Sequence, residues 1–536
     1  MNLRIGIALL LAAAGLAQDV PRMEQVVESY VSGKKFMGAV LVARADQVLL
    51  SKGYGSANLE WNIPNSPATK FRLGSITKQF TAASILLLEE RGKLKTDDPV
   101  KKLMPDAPAA WDKITIFHLL THTSGIPSFT SFPDYGAQEP FASTPEKLVA
   151  RFRDKPLDFQ PGEKWSYSNS GYVLLGYLIE KASGETYEKF VQENIFGPLG
   201  MQDSGYDSNS AIIPRRAAGY APGKDGPENA GFIHMSIPFS AGALYSTTGD
   251  LLRWEQGLFG GKLLSAASLA KMITPFKDDY AFGLSVGTVK GHKRIEHGGG
   301  IEGFNTSLSY YPEDKLTVVV LANLNGDAPE QIATRLAALA HGENVELPAE
   351  RKEITVAPKI LEQYVGIYEL APKINMTITL EGGQLITQVS GQGKAPLFAA
   401  SETKFFPKVV DAEIEFGKDD KGAYLVLHQG GRDMKAPRTS DKVVERKEIP
   451  VSPTVLAQYT GAYELRPGFD LVITLESGQL VSQATGQDKM PLFAESETKF
   501  FPKLIDAEIE FFKDGKGAVT HLVLHQGAAE IKAPRK

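Results

Sequence analysis

Ser75 and Lys78, in the segment FRLGSITKQF, form a Ser-x-x-Lys pair at the start of a predicted helix. Helix positions three apart lie on one face, one turn apart. The positive end of the helix dipole favours the negative charge that develops on a reacting serine. A desolvated lysine can have its pKa lowered enough to accept the serine proton. The pair therefore indicates a nucleophilic serine activated by an amine.

The Ser-x-x-Lys pattern is weak when taken alone. It also begins at four other serines, Ser32, Ser268, Ser401 and Ser496. Only Ser75 opens a long helix with apolar residues at helical spacing, ITKQFTAASILLLEERGKL at 76–94. Ser75 is therefore the preferred candidate.

A second candidate group is Tyr167-Ser168-Asn169, in the polar, turn-rich segment PGEKWSYSNSG before an apolar run at 171–184. Tyr-x-Asn occurs once among the 18 tyrosines. Such loops often display functional side chains. The alternative is that Ser168 or Asn169 caps the next helix while the tyrosine packs.

The third group is His297-Gly298-Gly299-Gly300, in KRIEHGGGIEGF. Successive glycines in a strand let a ligand approach the backbone closely. The alternative is a glycine-rich turn, and His-x-Gly also occurs at His428 and His525. The three groups together, in this order and about 90 and 130 residues apart, are more specific than any one of them.

The elements around these groups predict an α/β domain with an antiparallel sheet. GAVLVARADQVLLSKGYG (38–55) and TSLSYYPEDKLTVVVLANLN (306–325) have the pattern of hairpins at the two ends of the region. Helices at 76–94 and 171–184 lie between them, with Gly92 near the end of the first and a glycine closing the second. Sheet at both ends with helices between favours an α/β arrangement.

A tandem repeat follows this region. EQYVGIYEL (362–370) returns as AQYTGAYEL (457–465), and SETKFFPKVVDAEIEF (401–416) returns as SETKFFPKLIDAEIEF (496–511), both at an offset of 95. Each copy has about eight short alternating strands, which predicts two small antiparallel barrels. Polar segments at 341–353 and 439–448 are the expected linkers.

The N-terminus and the composition limit the class of protein. Residues 1–17 have the pattern of a signal peptide, with Arg4 before an apolar stretch and small residues ahead of Gln18, so export is expected; an uncleaved anchor is the alternative. The chain has no cysteine, which excludes disulfides, a thiol nucleophile and thiolate metal sites. A net charge of −5 without a basic stripe gives no reason to expect a nucleic-acid partner, and no later segment is long enough to span a membrane.

Residues 20–340 resemble the serine β-lactamase and penicillin-binding-protein superfamily, in the branch of class C β-lactamases, D-aminopeptidases and esterases. The resemblance rests on the three groups above and on HLLTHTSGIP, FQPGEKWSYSNSGY, PLGMQDS and SAGALYSTTGDL. The repeats are similar to lipocalin-like barrels that follow the catalytic domain in D-aminopeptidase-like members. The implied organisation is a leader at 1–17, a catalytic domain at 18–342, and barrels at 353–438 and 448–536.

The resemblance also implies a role for each residue. Ser75 attacks the carbonyl; Lys78 and Tyr167 move protons, with the base left open between them. Asn169 orients the lysine and the substrate amide. The backbone N–H groups of Ser75 and Gly300 form the oxyanion hole, beside Gly298 and Gly299. No metal or cofactor is implied, and the expected partner is a small acyl substrate or short peptide.

The third group departs from the Lys-Thr-Gly of class C β-lactamases, because it has His297 in place of the lysine. A histidine with an ordinary pKa near 6.5 is mostly neutral at pH 7, whereas a lysine is a permanent cation suited to a carboxylate. An esterase or D-peptidase is therefore favoured over a β-lactamase or DD-carboxypeptidase, which stays the alternative.

Three other classes of protein are alternatives. His118 and His122, four apart on a predicted helix, could belong to a zinc hydrolase, but no His-Glu-x-x-His occurs. An α/β-hydrolase needs Gly-x-Ser-x-Gly, which is missing from the sequence. A non-catalytic protein that binds its ligand in the barrels is the third class.

Overall fold

A computed structural model describes residues 20–347, 350–372, 374–408, 410, 412–429, 432–443, 446–466, 468–527 and 529–536. The chain forms two compact units that meet in sequence between Val345 and Glu346. The leader expected at 1–17 lies outside the described residues, so it stays a prediction.

The first unit is built on a six-stranded antiparallel sheet. Its strands, in chain order, are β1 (Gly38–Arg44), β2 (Gln47–Tyr54), β3 (Ser285–Val289), β4 (His292–Ile301), β5 (Phe304–Tyr311) and β6 (Leu316–Ala322). Their order across the sheet is β3-β4-β5-β6-β1-β2. The pairing of β1 with β2 and of β5 with β6 confirms the two predicted hairpins. The first and last parts of the domain therefore meet at the middle of one sheet.

Helices cover both faces of this sheet. The longer helices are α1 (20–32), α2 (Thr77–Glu90), α3 (Asn169–Ser183), α4 (Thr248–Phe259) and α5 (Ala328–Ala340). Strand β6 is buried throughout, and its alternate side chains point to opposite faces. Val319 and Leu321 lie in the large core that contains Trp254 of α4, whereas Ile332 of α5 is buried outside that core. Helix α5, which also packs on β6, therefore covers the opposite face.

The predicted helices differ from the observed ones at their ends. Helix α2 ends at Glu90 and not at 94, because Gly92 takes a left-handed conformation with φ of +69°. Helix α3 begins at Asn169, two residues earlier than predicted, and Gly184 closes it with φ of +79°. Helix α2 is buried from Thr77 to Leu88, so it is a core helix and not an amphipathic surface helix.

Short elements connect the longer ones in the first unit. The short helices and helical turns are Gly74–Ile76, Val100–Lys102, Ala109–Trp111, Ile116–Leu120, Phe129–Ser131, Tyr135–Gln138, Pro145–Arg153, Tyr187–Val191, Gln192–Phe196, Gly197–Leu199, Phe239–Gly242 and Ala266–Met272. The short strands are Ser56–Asn58, Ile63–Pro64, Phe71–Arg72, Gly205–Tyr206, Tyr220–Pro222, Pro227–Asn229 and Leu244–Ser246.

The second unit contains the two repeats, each preceded by short helical turns. These turns are Pro358–Leu361, Glu362–Tyr364, Pro453–Leu456 and Ala457–Tyr459. The first repeat is a closed barrel of Gly366–Ala371, Ile374–Glu381, Gln384–Val389, Lys394–Ala399, Lys404–Pro407, Ala412–Asp419, Gly422–Gln429 and Arg432–Ser440. The second is an eight-stranded sheet of Gly461–Arg466, Phe469–Glu476, Gln479–Ala484, Met490–Ala494, Lys499–Pro502, Ala507–Lys513, Val519–Gln526 and Ala529–Pro534.

The two repeats share one pairing register. Leu397 pairs with Pro407 in the first, and Leu492 pairs with Pro502 in the second. They differ in closure. The first closes through pairing of its first and last strands, whereas in the second Tyr463 forms one bridge with Arg535 just beyond the last strand. The predicted fold class, an α/β domain followed by two small eight-stranded antiparallel barrels, is confirmed, with a closed barrel in the first repeat and a near-barrel eight-stranded sheet in the second.

Within the part of the chain that the structure describes, no helix is both long enough and apolar enough to cross a membrane.

Candidate active site

Ser75 lies in a tight helical turn, Gly74–Ile76, that leads directly into α2. The segment before it is fixed on two sides. Phe71 pairs with Ser246, and the N–H of Leu73 donates to Leu244 O at 2.8 Å. On the other side Thr306 Oγ1 of β5 donates to Leu73 O at 2.8 Å. These contacts hold the serine at the junction of the sheet and the helices.

Lys78 lies one turn after Ser75 and is completely buried. Its Nζ is 2.9 Å from each of three oxygens: Ser75 Oγ, Asn169 Oδ1 and Ala241 O. None of these three partners is a carboxylate. Burial lowers the pKa of Lys78 well below its ordinary value, because the ammonium form has lost its hydration. The amine is therefore placed to accept a proton from the serine hydroxyl.

Tyr167 lies near the Ser75 side chain, which acts on the pKa of its phenol. Burial raises the pKa of Tyr167 above its ordinary value, and the effect of Ser75 offsets only part of this rise. The phenol is therefore neutral at neutral pH. The ammonium position of Lys78 lies 4.9 Å from the centre of the Tyr167 ring, so the three side chains form one connected group.

Asn169 is the first residue of α3, and Ser168 caps the helix by accepting from the N–H of Gly171. The Asn169 amide is thereby left for other contacts. Its Oδ1 accepts from Lys78, and its Nδ2 donates to Thr130 Oγ1 at 3.1 Å. The predicted alternative, in which Ser168 or Asn169 caps the helix, is therefore correct for Ser168. Asn169 contacts Lys78 as well.

His297 lies on β4, buried and away from direct contact with Ser75. Its Nδ1 is 2.6 Å from Gly298 O, so this nitrogen carries the proton, and its Nε2 accepts from Tyr280 Oη at 3.0 Å. Burial, with a smaller contribution from the charge of Lys78, lowers the pKa of His297 from 6.5 to about 4. His297 is thus a neutral group whose ring centre lies 6.4 Å from that of Tyr167.

Gly299 brings β4 against the serine turn. A Cβ added at Gly299 would lie 1.9 Å from Leu73 O and 2.4 Å from Thr306 Oγ1. The space that the missing side chain leaves here is filled by the protein's own backbone. At Gly298, in contrast, an added Cβ would meet its nearest atom, Thr306 O, at 3.5 Å.

Gly300 faces the serine turn with its backbone. The two-residue turn after Ile301 pairs Ile301 with Phe304 and Gly300 with Asn305. Hydrogen-bonded and non-bonded pairs alternate along antiparallel strands, so the N–H of Gly300 points away from β5. Strand β3 pairs with β4 only as far as Glu296. A Cβ added at Gly74, whose φ is +55°, would lie 2.8 Å from Gly300 N.

A cavity of about 90 Å³ opens beside Ser75. It is lined by Gly74, Ser75, Phe129, Thr130, Tyr135, Asn169, Ile233, Pro238, Ala241, Gly242, Gly300, Ile301 and Glu302. The structure thus joins Ser75, Lys78 and Asn169 by hydrogen bonds, places the Tyr167 ring beside Lys78, and puts Gly300 on the wall of the cavity. His297 is not among the residues that line the cavity.

Several residues of this site carried no clear sequence signal. Ala241 contributes a backbone carbonyl, which any residue possesses, although its segment SAGALYSTTGDL belongs to the resemblance. Tyr280, which is hydrogen-bonded to His297, lies in a segment without a recognisable motif. His122, one of the two candidate zinc ligands, packs against Tyr167 with ring centres 4.3 Å apart, and its Nδ1 accepts from the N–H of Ser168.

His118 and His122 do not form a metal site with a third ligand in the described residues. His118 completes a capping box with Thr115 on the helix Ile116–Leu120, and His122 lies beyond the end of that helix. The described clusters with three candidate ligands are elsewhere: His292, His341 and Glu343; Glu413, Glu415 and His428; and Glu508, Glu510 and His525.

Comparison with known families agrees with this geometry. The family model described as Beta-lactamase matches residues 23–342. The chain belongs to the beta-lactamase family. A second model, described as a domain of unknown function (DUF3471), matches residues 350–435 and 445–533, which correspond to the two repeats.

Individual proteins similar to this member of the beta-lactamase family include penicillin-binding proteins and an amidohydrolase. A penicillin-binding protein of Bacillus subtilis (strain 168) is 31% identical over 448 residues, covering 78% of this chain and 98% of that protein. The octameric penicillin-binding protein homologue from Pyrococcus abyssi is 30% identical with a TM-score of 0.56, covering 78% of this chain and 100% of the other. A D-stereospecific amidohydrolase from Streptomyces sp. is 26% identical with a TM-score of 0.52, covering 60% and 99%. The homologues with this fold are serine hydrolases.

Proposed function

We propose that this protein is a serine hydrolase that cleaves ester or amide bonds through an acyl-enzyme on Ser75. The observation that carries the proposal is the 2.9 Å contact between the Ser75 hydroxyl and the buried Lys78 amine. Burial favours the neutral amine, and a neutral amine can take the hydroxyl proton. A lysine kept only for structure would be expected to pair with a carboxylate, and Lys78 contacts none among the described residues.

Acylation follows from these contacts. Lys78 accepts the proton of Ser75 as Oγ forms a bond to the carbonyl carbon of the substrate. The carbonyl oxygen takes the negative charge and faces the N–H groups of Ser75 and Gly300. Collapse of this intermediate breaks the bond to the leaving group, which receives a proton. Donors aimed at such an oxyanion contribute about 10²–10³ in rate each.

The pKa of Lys78 and the pKa of Tyr167 are shifted in opposite directions, and this difference assigns the roles of proton acceptor and proton donor. Because burial lowers the pKa of the lysine and raises that of the tyrosine, Lys78 is the base and Tyr167 is a neutral donor. The phenol lies beside Ser75 and Lys78, so it can pass a proton toward the leaving group. In deacylation, water replaces the leaving group, and its proton returns along the same side chains.

The preferred substrates are esters and amino-acid amides, including those of D configuration. The Streptomyces relative is described as a D-stereospecific amidohydrolase, and the catalytic cavity is small and lined by both polar and apolar residues. His297 supplies no positive charge for a carboxylate, because burial keeps it neutral. This feature disfavours efficient turnover of β-lactams, whose carboxylate needs a cation.

A second candidate function is acylation by penicillin without rapid release. The names of the Bacillus subtilis and Pyrococcus abyssi relatives favour it. It would use the same Ser75, so a gel assay with a fluorescent penicillin tests it directly. A band that Ser75→Ala removes supports this candidate, and an unlabelled wild-type protein that still hydrolyses esters excludes it.

Ser75→Ala is the central test of the hydrolase. We expect it to abolish hydrolysis of p-nitrophenyl acetate and labelling by a fluorophosphonate, with an unchanged circular dichroism spectrum. Ser268→Ala is the matched control, because Ser268 has the same Ser-x-x-Lys spacing but its Lys271 is paired with Glu89 at 2.9 Å. Full ester hydrolysis by a folded Ser75→Ala protein would refute the proposal. A folded wild type without labelling would favour the non-catalytic barrel-binding class.

A further inference from the structure

Glu302 is the charged side chain among the described residues that line the catalytic cavity. It follows Gly300 and Ile301 at the end of β4, so it stands two residues from the proposed oxyanion donor. The other lining residues are apolar, small or neutral polar groups. One wall of the cavity therefore carries a negative charge close to the place where the substrate carbonyl binds.

The Glu302 carboxylate has an oxygen that the protein leaves unsatisfied. Its Oε2 is buried and has no hydrogen-bond partner among the described residues. Buried polar atoms are nearly always paired, because an unpaired one loses its hydration without compensation. Oε2 is too enclosed for a substrate atom to reach. A substrate donor would therefore bind the carboxylate through Oε1, which is not buried and for which the described residues provide no donor either.

The surroundings of Glu302 add to the negative potential. Burial, followed by the charge of Glu302, raises the pKa of Glu139. Burial and then the charges of Glu302 and Glu139 also raise the pKa of the cavity residue Tyr135. The cation that acts on the same phenol is Arg151, which forms an ion pair with Asp134 at 2.9 Å, although neither of its buried Nη atoms has a hydrogen-bond partner among the described residues. A positive group in the cavity would therefore be stabilised, and a second carboxylate would be repelled.

We propose that Glu302 is a specificity-determining residue that binds a protonated amine of the substrate. The substrate class is an ester or amide that carries an ammonium group near the scissile carbonyl, such as an amino-acid amide with a free α-amino group. This inference rests on the proposed hydrolase, since it places the ammonium beside the carbonyl that Ser75 attacks. Glu302 does not take part in the bond-breaking steps.

The test compares three substrates that differ only in the charge on nitrogen. They are D-alanine p-nitroanilide, which carries an ammonium, its neutral N-acetyl derivative, and its anionic N-succinyl derivative. The wild type should have the highest kcat/KM for the ammonium substrate and the lowest for the anionic one. p-Nitrophenyl acetate, which has no charge, reports the basal activity.

Glu302→Gln keeps the shape of the side chain and removes its charge. We expect kcat/KM for the ammonium substrate to fall about tenfold to a hundredfold, the range for loss of a hydrogen bond to a charged group. Activity on p-nitrophenyl acetate, which has no ammonium, should fall less than activity on the ammonium substrate, and the N-succinyl substrate should improve relative to both. Glu330→Gln, at an exposed position in the first turn of α5, is the matched control and should change none of these.

The outcomes separate this inference from the proposed function. If Glu302→Gln lowers kcat/KM equally for the ammonium, acetylated and succinylated substrates, the amine site is refuted while the hydrolase stands. The same holds if the wild type prefers the anionic substrate. If the wild type hydrolyses neither the anilides nor the ester, the proposed function itself fails. Glu302→Asp, which keeps the charge, should retain the order of preference even where its rates are lower.

Discussion

Replacement of Gly299 by alanine should damage catalysis by moving one strand. The added Cβ would lie 1.9 Å from Leu73 O and 2.4 Å from Thr306 Oγ1. Neither atom is the free end of a long side chain, because Leu73 O is backbone next to the serine turn and Thr306 Oγ1 is hydrogen-bonded to it. The only way to relieve the contact is to separate β4 from the turn that carries Ser75.

The size of the effect follows from the distances. Carbon and oxygen atoms in ordinary contact lie about 3.4 Å apart, so β4 must move by more than about 1 Å. A displacement of about 1 Å at a reacting centre can cost about 10²-fold in rate. Overpacking of this kind costs about 1–3 kcal/mol of folding stability. We therefore expect Gly299→Ala to lose about 10²-fold in kcat/KM and to unfold at lower urea concentration.

Gly298→Ala is the control, since it adds the same methyl group one residue away. Its nearest neighbour would be Thr306 O at 3.5 Å, an ordinary contact. Ester hydrolysis with p-nitrophenyl acetate and urea unfolding, measured on both variants, give the comparison. Wild-type kcat/KM in a folded Gly299→Ala protein, or equal losses in the two variants, would refute the reasoning.

The remaining predictions concern protonation. Lys78→Met should lower kcat/KM for p-nitrophenyl acetate about 10²- to 10⁴-fold with the fold retained, and near-normal turnover would contradict its role as base. Wild-type kcat/KM should fall as pH falls through the pKa of Lys78, because the ammonium cannot accept a proton; a flat pH–rate profile in the range where the protein is folded would exclude this. Because burial lowers the pKa of His297 to about 4, its contribution to stability is complete above pH 6.5 and declines toward pH 4, by up to about 3 kcal/mol. Urea unfolding at pH 6.5 and pH 4 should show that His297→Gln loses less free energy of unfolding between these pH values than the wild type does. An equal loss in the two proteins would exclude His297 as the cause and would leave His122, whose pKa is also lowered by burial.

The sequence predicts the nucleophile group because its members lie at the ends of regular elements. Ser75 and Lys78 precede and begin a strongly apolar helix, and Asn169 begins another. The local sequence pattern therefore predicts both the helix and the catalytic side chains at its start. The ends of the helices were less predictable, since α2 stops where Gly92 adopts a left-handed conformation that the periodicity of the apolar residues does not reveal.

The environment of each group was beyond sequence-based prediction, because it depends on contacts between distant segments. The third acceptor of Lys78 is a backbone carbonyl of Ala241, which leaves no trace in residue type. His297 was expected to be mostly neutral from its ordinary pKa, and its burial against Tyr280 makes it more firmly so. The glycines after it were expected to admit a ligand, yet Gly299 admits the carbonyl of Leu73.

The shared register of the two repeats has a consequence for folding. A strand such as Lys404–Pro407 has the same sequence, KFFP, as its counterpart Lys499–Pro502, and the partners of both strands are also alike. In a denatured full-length chain, each strand meets two nearly equivalent partners, and exchange between neighbouring copies is a common error of repeat proteins. During synthesis the first copy can close before the second has emerged from the ribosome. Synthesis of one repeat before the other thus reduces mispairing between two sets of strands whose sequences are nearly the same.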